Sequence, residues 1–459
     1  MTRISRRGFL RTTGCTAAAG VAAASFARLG LVSAFAQSAQ DYKAMVCIFL
    51  FGGNDANNMI VPYSTADYTN YAKIRAGLAL KQGSLLPVQP KSMSSPYAFH
   101  PKFVEIQNLF NGGQLAALVN AGTLVQPTTR DQYVNGQANV PVNLYSHADQ
   151  QQQMQTALLH SFGEVGWGGK LADKMQSIYG GNFPVLISLG GSNVFAEGLV
   201  ARPIESSGDP TQPLNGFYGS DQDNQRLAAL QSLLTFDTGV SLIQSASTTT
   251  SNAIQDGKTL AGALAQGSAL KTPFPQSSLG SQLQQVAQII QVRAALGLPR
   301  QIFFVATGGF DTHSDQLNQH NRLYQDLSQS MNAFYQATAE IGIAPQVTTF
   351  TLSDFGRTFQ PDSTAGTDHA WGSHHLIMGG AVAGGDFYGT FPTQALGGPD
   401  DATGEGRWIP TTSLDQYGAT LARWFGVQTA DLPSIFPNLA NFSTPNLNFV
   451  GARARRARV

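Results

Sequence analysis

Charge is scarce in this chain. Asp, Glu, Lys and Arg make up 12% of its 459 residues, and 28 basic residues balance 28 acidic ones. Zero net charge leaves no basic face for nucleic acid and no field to steer acidic substrates, so nucleic acid is not an expected partner. Cysteine is nearly absent: the chain has two, Cys15 and Cys47. If the N-terminal segment is removed, Cys47 stands alone and an internal disulfide is excluded. Inside an apolar stretch, Cys47 reads as a small buried residue. Long apolar runs are missing as well; past the N-terminus nothing approaches the roughly 20 residues that span a membrane.

The N-terminus is specific. Ser5-Arg6-Arg7-Gly8-Phe9-Leu10 places two arginines before an apolar pair, and an Ala-rich run follows to Ala34-Phe35-Ala36. This pattern resembles a twin-arginine export signal over residues 1–36. Arg28 interrupts the run, which is too short and too Ala-rich for a good membrane anchor. The expected destination is periplasmic or secreted, reached in the folded state through the twin-arginine translocation machinery. Folding before export fits the lack of disulfides.

Three distant stretches read as a buried strand running into an aspartate. Met45–Phe51 leads through Gly52-Gly53-Asn54 to Asp55, Gln301–Ala306 leads through Thr307–Phe310 to Asp311, and Gln346–Ser353 ends at Asp354. Near-continuous apolar strands suit a parallel sheet covered on both faces. Ligands in such sheets bind outside the carboxyl ends of the strands. Three carboxylates gathered on one edge would repel unless something cationic sat between them, and a divalent metal answers that need.

Strand-like and helical stretches alternate along the rest of the chain. Leu115–Ala121 and Pro184–Leu189 read as further strands. Helices are expected over Lys102–Phe110, Leu171–Ile178, Gln282–Leu296, Gln316–Ile341 and Ser413–Phe425. Residues 195–280 are rich in Ser, Thr, Gln and Asn, with amphipathic pieces at 225–234 and 255–270, and read as a helical insertion. Residues 451–459 carry four arginines and read as a basic, disordered tail. The expected fold is a three-layer α/β domain over 37–450, with a largely parallel sheet and helices on both faces.

The chemistry-bearing residues cluster. In Phe310-Asp311-Thr312-His313 the acid and the histidine are two apart, so in extended chain both side chains project to one side. Downstream, Asp368, His369, His374 and His375 fall within eight residues. Imidazole and carboxylate together suit zinc or manganese better than calcium. Neighbours in extended chain point oppositely, so one of His374 and His375 would be a ligand and the other an orienting or substrate-facing group. Each residue also has a plainer role: Asp311 or Asp354 can cap a turn, and Asp354 can pair with Arg357. Ser146, with Asp149 three residues on, has helix-capping spacing. A serine at a helix start beside a metal is equally placed to act as a nucleophile. Arg357 can neutralise a phosphate or sulfate with its planar fork. Asn54, Asn57 and Asn58 can orient a ligand or build the turn.

Five motifs occur in order: Gly-Gly-Asn-Asp-Ala-Asn-Asn (52–58), Ser146-His147, Phe-Asp-Thr-His (310–313), Leu-Ser-Asp-Phe-Gly-Arg-Thr (352–358) and Gly-Thr-Asp-His-Ala-Trp-Gly (366–372). Their succession resembles the twin-arginine-exported domain-of-unknown-function family 1501, itself similar to the alkaline phosphatase and sulfatase superfamily. That resemblance implies one or two divalent metals. It casts Asp55 as an early strand-end ligand, Ser146 as nucleophile, and Asp311 with His313 as ligands of a second metal. Asp354, or Asp368 with His369, matches the late ligand pair; Asp354 is followed by Phe355, and Asp368-His369 has no clear strand before it. His374 or His375 matches a final histidine, with His375 taken as the ligand and His374 grouped with Asn54 and Asn58 on the substrate side. The expected function is a metal-dependent hydrolase of phosphate or sulfate esters, on a small-molecule or glycan substrate. The alternative is an exported metal-binding scaffold, or a partner- or glycan-binding protein, on the same fold.

Overall fold

The structure, a computed structural model, describes residues 42–181, 183–205, 219–236 and 239–451. The expected export signal, and all but the first residue of the expected basic tail, lie outside the described residues.

Lys43–Leu50 forms the central strand, β1, and every residue of it but Lys43 is buried. On either side lie two other strands expected from the sequence, β8 (Arg300–Thr307) and β9 (Val347–Ser353), both parallel to β1. Leu50 of β1 pairs with Thr307 on one side and with Ser353 on the other, so the three carboxyl ends finish level. The loops carrying Asp55, Asp311 and Asp354 therefore leave one edge.

Those strands belong to a nine-stranded sheet of order β11-β5-β10-β9-β1-β8-β6-β7, with β12 also paired to β5. Here β5 is Leu115–Gly122, β6 Leu186–Ser188, β7 Ile204–Glu205, β10 Ser373–Gly379, β11 Phe387–Tyr388 and β12 Thr412–Ser413. All pairings are parallel except those of β10, which runs against both β9 and β5. The fold is α/β, as expected, with one departure. Ser373–Gly379, where no strand was expected, is an entirely buried strand. Its apolar half, Leu376-Ile377-Met378, supplies the burial, and His374 and His375 are carried inside with it.

Helices on both faces complete the layers. Gln316–Glu340 crosses from β8 to β9 and packs with Ser278–Gln291 and Val104–Asn111. Trp167–Tyr179, Leu414–Phe425 and Leu432–Ile435 form the second group, where the Trp167 ring meets Phe195, Phe350 and Phe436 at centroid distances of 4.6, 5.6 and 5.8 Å. A small antiparallel sheet, β2 (Ile60–Pro62), β4 (Tyr97–Phe99) and β3 (Leu86–Val88), sits downstream of β1. Among the described residues of 195–280 are the helices Asp221–Leu234 and Ser241–Leu264. Among the described residues no helix is long and apolar enough to cross a membrane.

Gly52 shows how tightly the edge is built. Its φ of +115° suits glycine, and a Cβ there would run into the backbone of Asp311. Its N–H donates to Asp354 Oδ1 at 3.1 Å, and its carbonyl accepts from Arg357 Nη1 at 2.9 Å. The turn after β1 thus fixes the loops after β8 and β9.

Candidate metal centre

Four side chains converge at this edge. Asp311 Oδ1 lies 3.0 Å from His313 Nε2, 3.3 Å from His369 Nε2 and 3.4 Å from His147 Nε2. His369 Nε2 is in turn 3.1 Å from both His147 Nε2 and His313 Nε2. Ligand atoms about 2.0–2.1 Å from one tetrahedral ion lie roughly 3.3–3.4 Å from each other. The separations among His147, Asp311 and His369, 3.1–3.4 Å, match one face of such a tetrahedron; His313 comes within 3.0–3.1 Å of Asp311 and His369 but groups with Asp362 and Asp368 rather than with His147.

The remaining ring nitrogens decide what these Nε2 atoms are. His147 Nδ1 lies 2.7 Å from Asp354 Oδ2, and His369 Nδ1 lies 2.8 Å from the carbonyl of Tyr145. Both partners are acceptors, so each Nδ1 carries the proton and each Nε2 presents a lone pair. With both rings neutral, two lone pairs facing at 3.1 Å beside a carboxylate oxygen repel until a proton or a metal cation lies between them. Carboxylate and carbonyl partners behind ligating histidines are the usual outer-shell arrangement at metals.

The supports are built locally. His147 is the first residue of the helix His147–Thr156, one turn before Gln151, which also donates to Asp354 Oδ2 at 2.6 Å. Tyr145 has φ of 72° and Asn143 has φ of 50°, left-handed values that asparagine adopts readily and tyrosine seldom does. That twist accompanies a Tyr145 carbonyl turned to His369. The Phe355 ring lies 4.8 Å from both the His147 and the His369 ring. The site is open on one side: the side chains of Asp311 and His313 are 47% and 45% exposed, those of His147 and His369 29% and 25%.

Electrostatics follow the contacts. The hydrogen bond to Asp354 raises the pKa of His147, against its partial burial. Burial lowers that of His369. Burial opposes ionisation of Asp311, but the Arg357 hydrogen bond and charge, with His147 and His313, hold it below the usual carboxylate range.

Of the residues singled out from the sequence, Asp311, His313 and His369 meet here. Asp354 stands one step back: its side chain is fully buried and binds His147. Asp368 is exposed, with Oδ1 3.5 Å from His313 Nδ1; with Asp362 it makes a second acidic group around that histidine. Asp362 Oδ1 is already occupied by the N–H groups of Thr364 and Gly366 and by the Thr364 hydroxyl.

Others fall elsewhere. Asp55 is fully buried in an ion pair with Arg75 and accepts from Gln316 Nε2 and from the backbone and side-chain nitrogens of Asn57. Arg75 supplies the cation that the sequence argument had assigned to a metal. Asn54 accepts from Tyr324 Oη at 2.7 Å and Asn58 from Tyr71 Oη at 2.8 Å; both are buried in the scaffold, away from a substrate. Arg357 is buried with each nitrogen engaged, by Thr367, Gly52 and Asp311, so it orients Asp311 and leaves at most one Nη2 N–H uncommitted. His374 Nδ1 accepts from the backbone N–H of Asn120 at 3.0 Å, and His375 stacks on Tyr417 at 5.6 Å; both sit inside β10. Ser146 stands at the N-cap position but makes no capping bond to the helix backbone; its hydroxyl donates to Asp149 Oδ2 instead.

His147 went unselected in the sequence reading because its spacing relates it to no other histidine. The available signal was position: it follows Ser146 at a helix start, inside one of the five motifs.

An α/β protein with a His₃Asp cluster at the carboxyl edge of its sheet is the class this geometry defines. The chain belongs to the family described as "Protein of unknown function (DUF1501)", which matches residues 42–403. No curated protein sequence matches it. Solved structures similar to it include a sulfatase, PsFucS1, from Pseudoalteromonas sp., at 8% identity, covering 86% of this chain and 69% of the other with a TM-score of 0.33. The C-terminal periplasmic domain of EcEptC from Escherichia coli is similar at 9% identity, 90% and 88% coverage and a TM-score of 0.33. A mutant of the alkaline phosphatase PafA is similar at 10% identity, 69% and 63% coverage and a TM-score of 0.25.

Proposed function

We propose that this protein is an exported, metal-dependent hydrolase of phosphate or sulfate esters, with His147, Asp311, His313 and His369 as the ligands of one divalent cation. The observation that carries this reading is the convergence of histidine Nε2 lone pairs and a carboxylate oxygen on one partly exposed point. The donor set of three imidazoles and one carboxylate suits zinc or manganese. A cation bound there would supply Lewis acidity toward an ester oxygen.

The chain's own groups do the rest. Asp354 and the Tyr145 carbonyl fix the tautomers of His147 and His369, and Arg357 holds the Asp311 carboxylate ionised. Ser146, one residue before His147 at the helix N-terminus, is the nucleophile in this reading. Its hydroxyl proton passes to Asp149, whose carboxylate is kept ionised by hydrogen bonds from Asn143 and Ser146 itself. Attack forms the bond from Ser146 Oγ to phosphorus or sulfur as the bond to the leaving oxygen breaks; the proton on Asp149 goes to the leaving alcohol, and water then cleaves the covalent ester, releasing phosphate or sulfate and reprotonating Ser146. The backbone N–H groups of the helix start are suited to an anionic group.

The test uses the mature protein and p-nitrophenyl phosphate and p-nitrophenyl sulfate as probes. Ser146→Ala should remove turnover while metal content and melting temperature stay unchanged. Turnover undiminished in the variant overturns the serine mechanism.

A second reading has its own support. Arg357 is buried with its donors largely committed to the scaffold, and the Ser146 hydroxyl is engaged by Asp149. Those facts fit a metal-stabilised binding protein; metal bound without turnover of any ester, together with tight binding of a glycan or protein partner, would favour it.

A further inference from the structure

A second cavity lies beside the small sheet and shares no residue with the metal cluster. Its volume is about 380 Å³, and Pro62, Asp67, Asn70, Tyr97, Phe391 and Gln394 line it. Pockets for small ligands start near ~300 Å³. Pro62 and Tyr97 face each other across β2 and β4, so one wall is held by strand pairing. The other comes from the segment after β11, tied across by Asn70 Nδ2 donating to the Gln394 carbonyl at 2.5 Å.

Three observations define the chemistry. Tyr97 and Phe391 stand with ring centroids 4.7 Å apart and planes inclined at 50°, both half-buried, forming an apolar wall. Gln394 is 8% exposed, yet neither its Oε1 nor its Nε2 has a hydrogen-bond partner. Buried amides are nearly always paired, and this one, closed off from the cavity in the position shown, would gain a partner by turning toward a ligand there. Finally, Asp67 is the only charged residue of the lining. Without a cation the cavity disfavours a phosphate or sulfate group. A purely apolar ligand would leave the carboxylate and amides unanswered.

We propose that this cavity binds one neutral pyranose residue of a glycan. The aromatic wall would take the C–H face of the sugar ring, and the Gln394 amide, Asn70 and the Asp67 carboxylate would take its hydroxyls. The proposal stands independently of the metal chemistry: it assigns a binding subsite whether or not the protein hydrolyses an ester.

The test is calorimetric titration of the mature, metal-replete protein with neutral oligosaccharides of gluco, galacto, manno, xylo and N-acetylglucosamine type. At least one should bind, and Tyr97→Ala should weaken that binding at least tenfold. Gln394→Leu keeps the side-chain bulk and removes the amide; it should do the same with unchanged melting temperature and metal content. Sodium sulfate and sodium phosphate should not compete. No binding by any of the series at 20 mM sugar, or binding that both variants retain, overturns the proposal. Loss of metal alone would damage the hydrolase reading and leave this one standing.

Discussion

His147 and Asp354 are joined through Nδ1 and Oδ2 at 2.7 Å, with the imidazole Nε2 turned to Asp311 and His369. The strand-end aspartate therefore acts through a histidine contributed by a helix 207 residues earlier in the chain. Removing an outer-shell carboxylate typically lowers metal affinity by about 10–100-fold. Asp354→Asn should produce that graded loss, measured by competition with a chelator, whereas Asp311→Asn should abolish stoichiometric binding. Equal losses in the two would place Asp354 among the direct ligands.

Asp55 and Arg75 make a different prediction. Both side chains are fully buried, and breaking such a pair from one side costs about 3–5 kcal/mol because a charge is left unmatched. Arg75→Met should lower the melting temperature sharply. Asp55→Asn in the folded fraction should still bind metal at the wild-type ratio, because the cluster does not include Asp55. Metal lost from folded Asp55→Asn protein would show the carboxylate to be a ligand.

Acid should unfold the protein through buried histidines. Burial lowers the pKa of His375 to about 3 and of His100 to about 3, in each case chiefly by desolvation. An unfolded histidine titrates near ~6.5. Below that value the unfolded chain takes up protons that these folded sites refuse, so stability is full above about 6.5 and falls as pH drops toward 3. Each such group contributes up to about 1.4 kcal/mol per pH unit in that window. Urea midpoints at pH 7.5 and 5.0 should differ, and His375→Leu should shrink the difference. An unchanged difference would remove His375 from the account.

Asp415 works in the opposite direction. Desolvation raises its pKa to about 7, despite hydrogen bonds from Asn438 and a nearby Lys170. The unfolded carboxyl ionises near ~3.9, so folding is penalised increasingly as pH rises from about 4 to about 7. Asp415→Asn should therefore stabilise the protein at pH 8 and have little effect at pH 4, read from melting temperatures. A destabilised variant at pH 8 would mean that the ionised form is needed for packing.

Sequence periodicity revealed β1, β8 and β9 because strands covered on both faces are continuously apolar, and an aspartate one to five residues after each marks the carboxyl edge. The Asp311–His313 pair was legible for the same local reason. What it could not show was which way each side chain turns. Asp55 follows its strand through the same kind of glycine turn as Asp311, yet Arg75, in a helix some 20 residues on, draws it inward. His374 and His375 lie in a stretch rich in histidine and acid, but the run Leu376-Ile377-Met378 pulls them into the sheet as β10. His147 and the Tyr145 carbonyl enter by tertiary contact with loops far along the chain, which no local spacing encodes.

The central claim is the four-ligand site, and elemental mass spectrometry of the folded mature protein, purified without chelators, tests it most directly. The account predicts close to one divalent transition metal per chain, lost in His147→Ala and in Asp311→Asn but retained in His375→Leu. Protein that is folded and stable with no bound metal, or metal retained in both His147→Ala and Asp311→Asn, would contradict it.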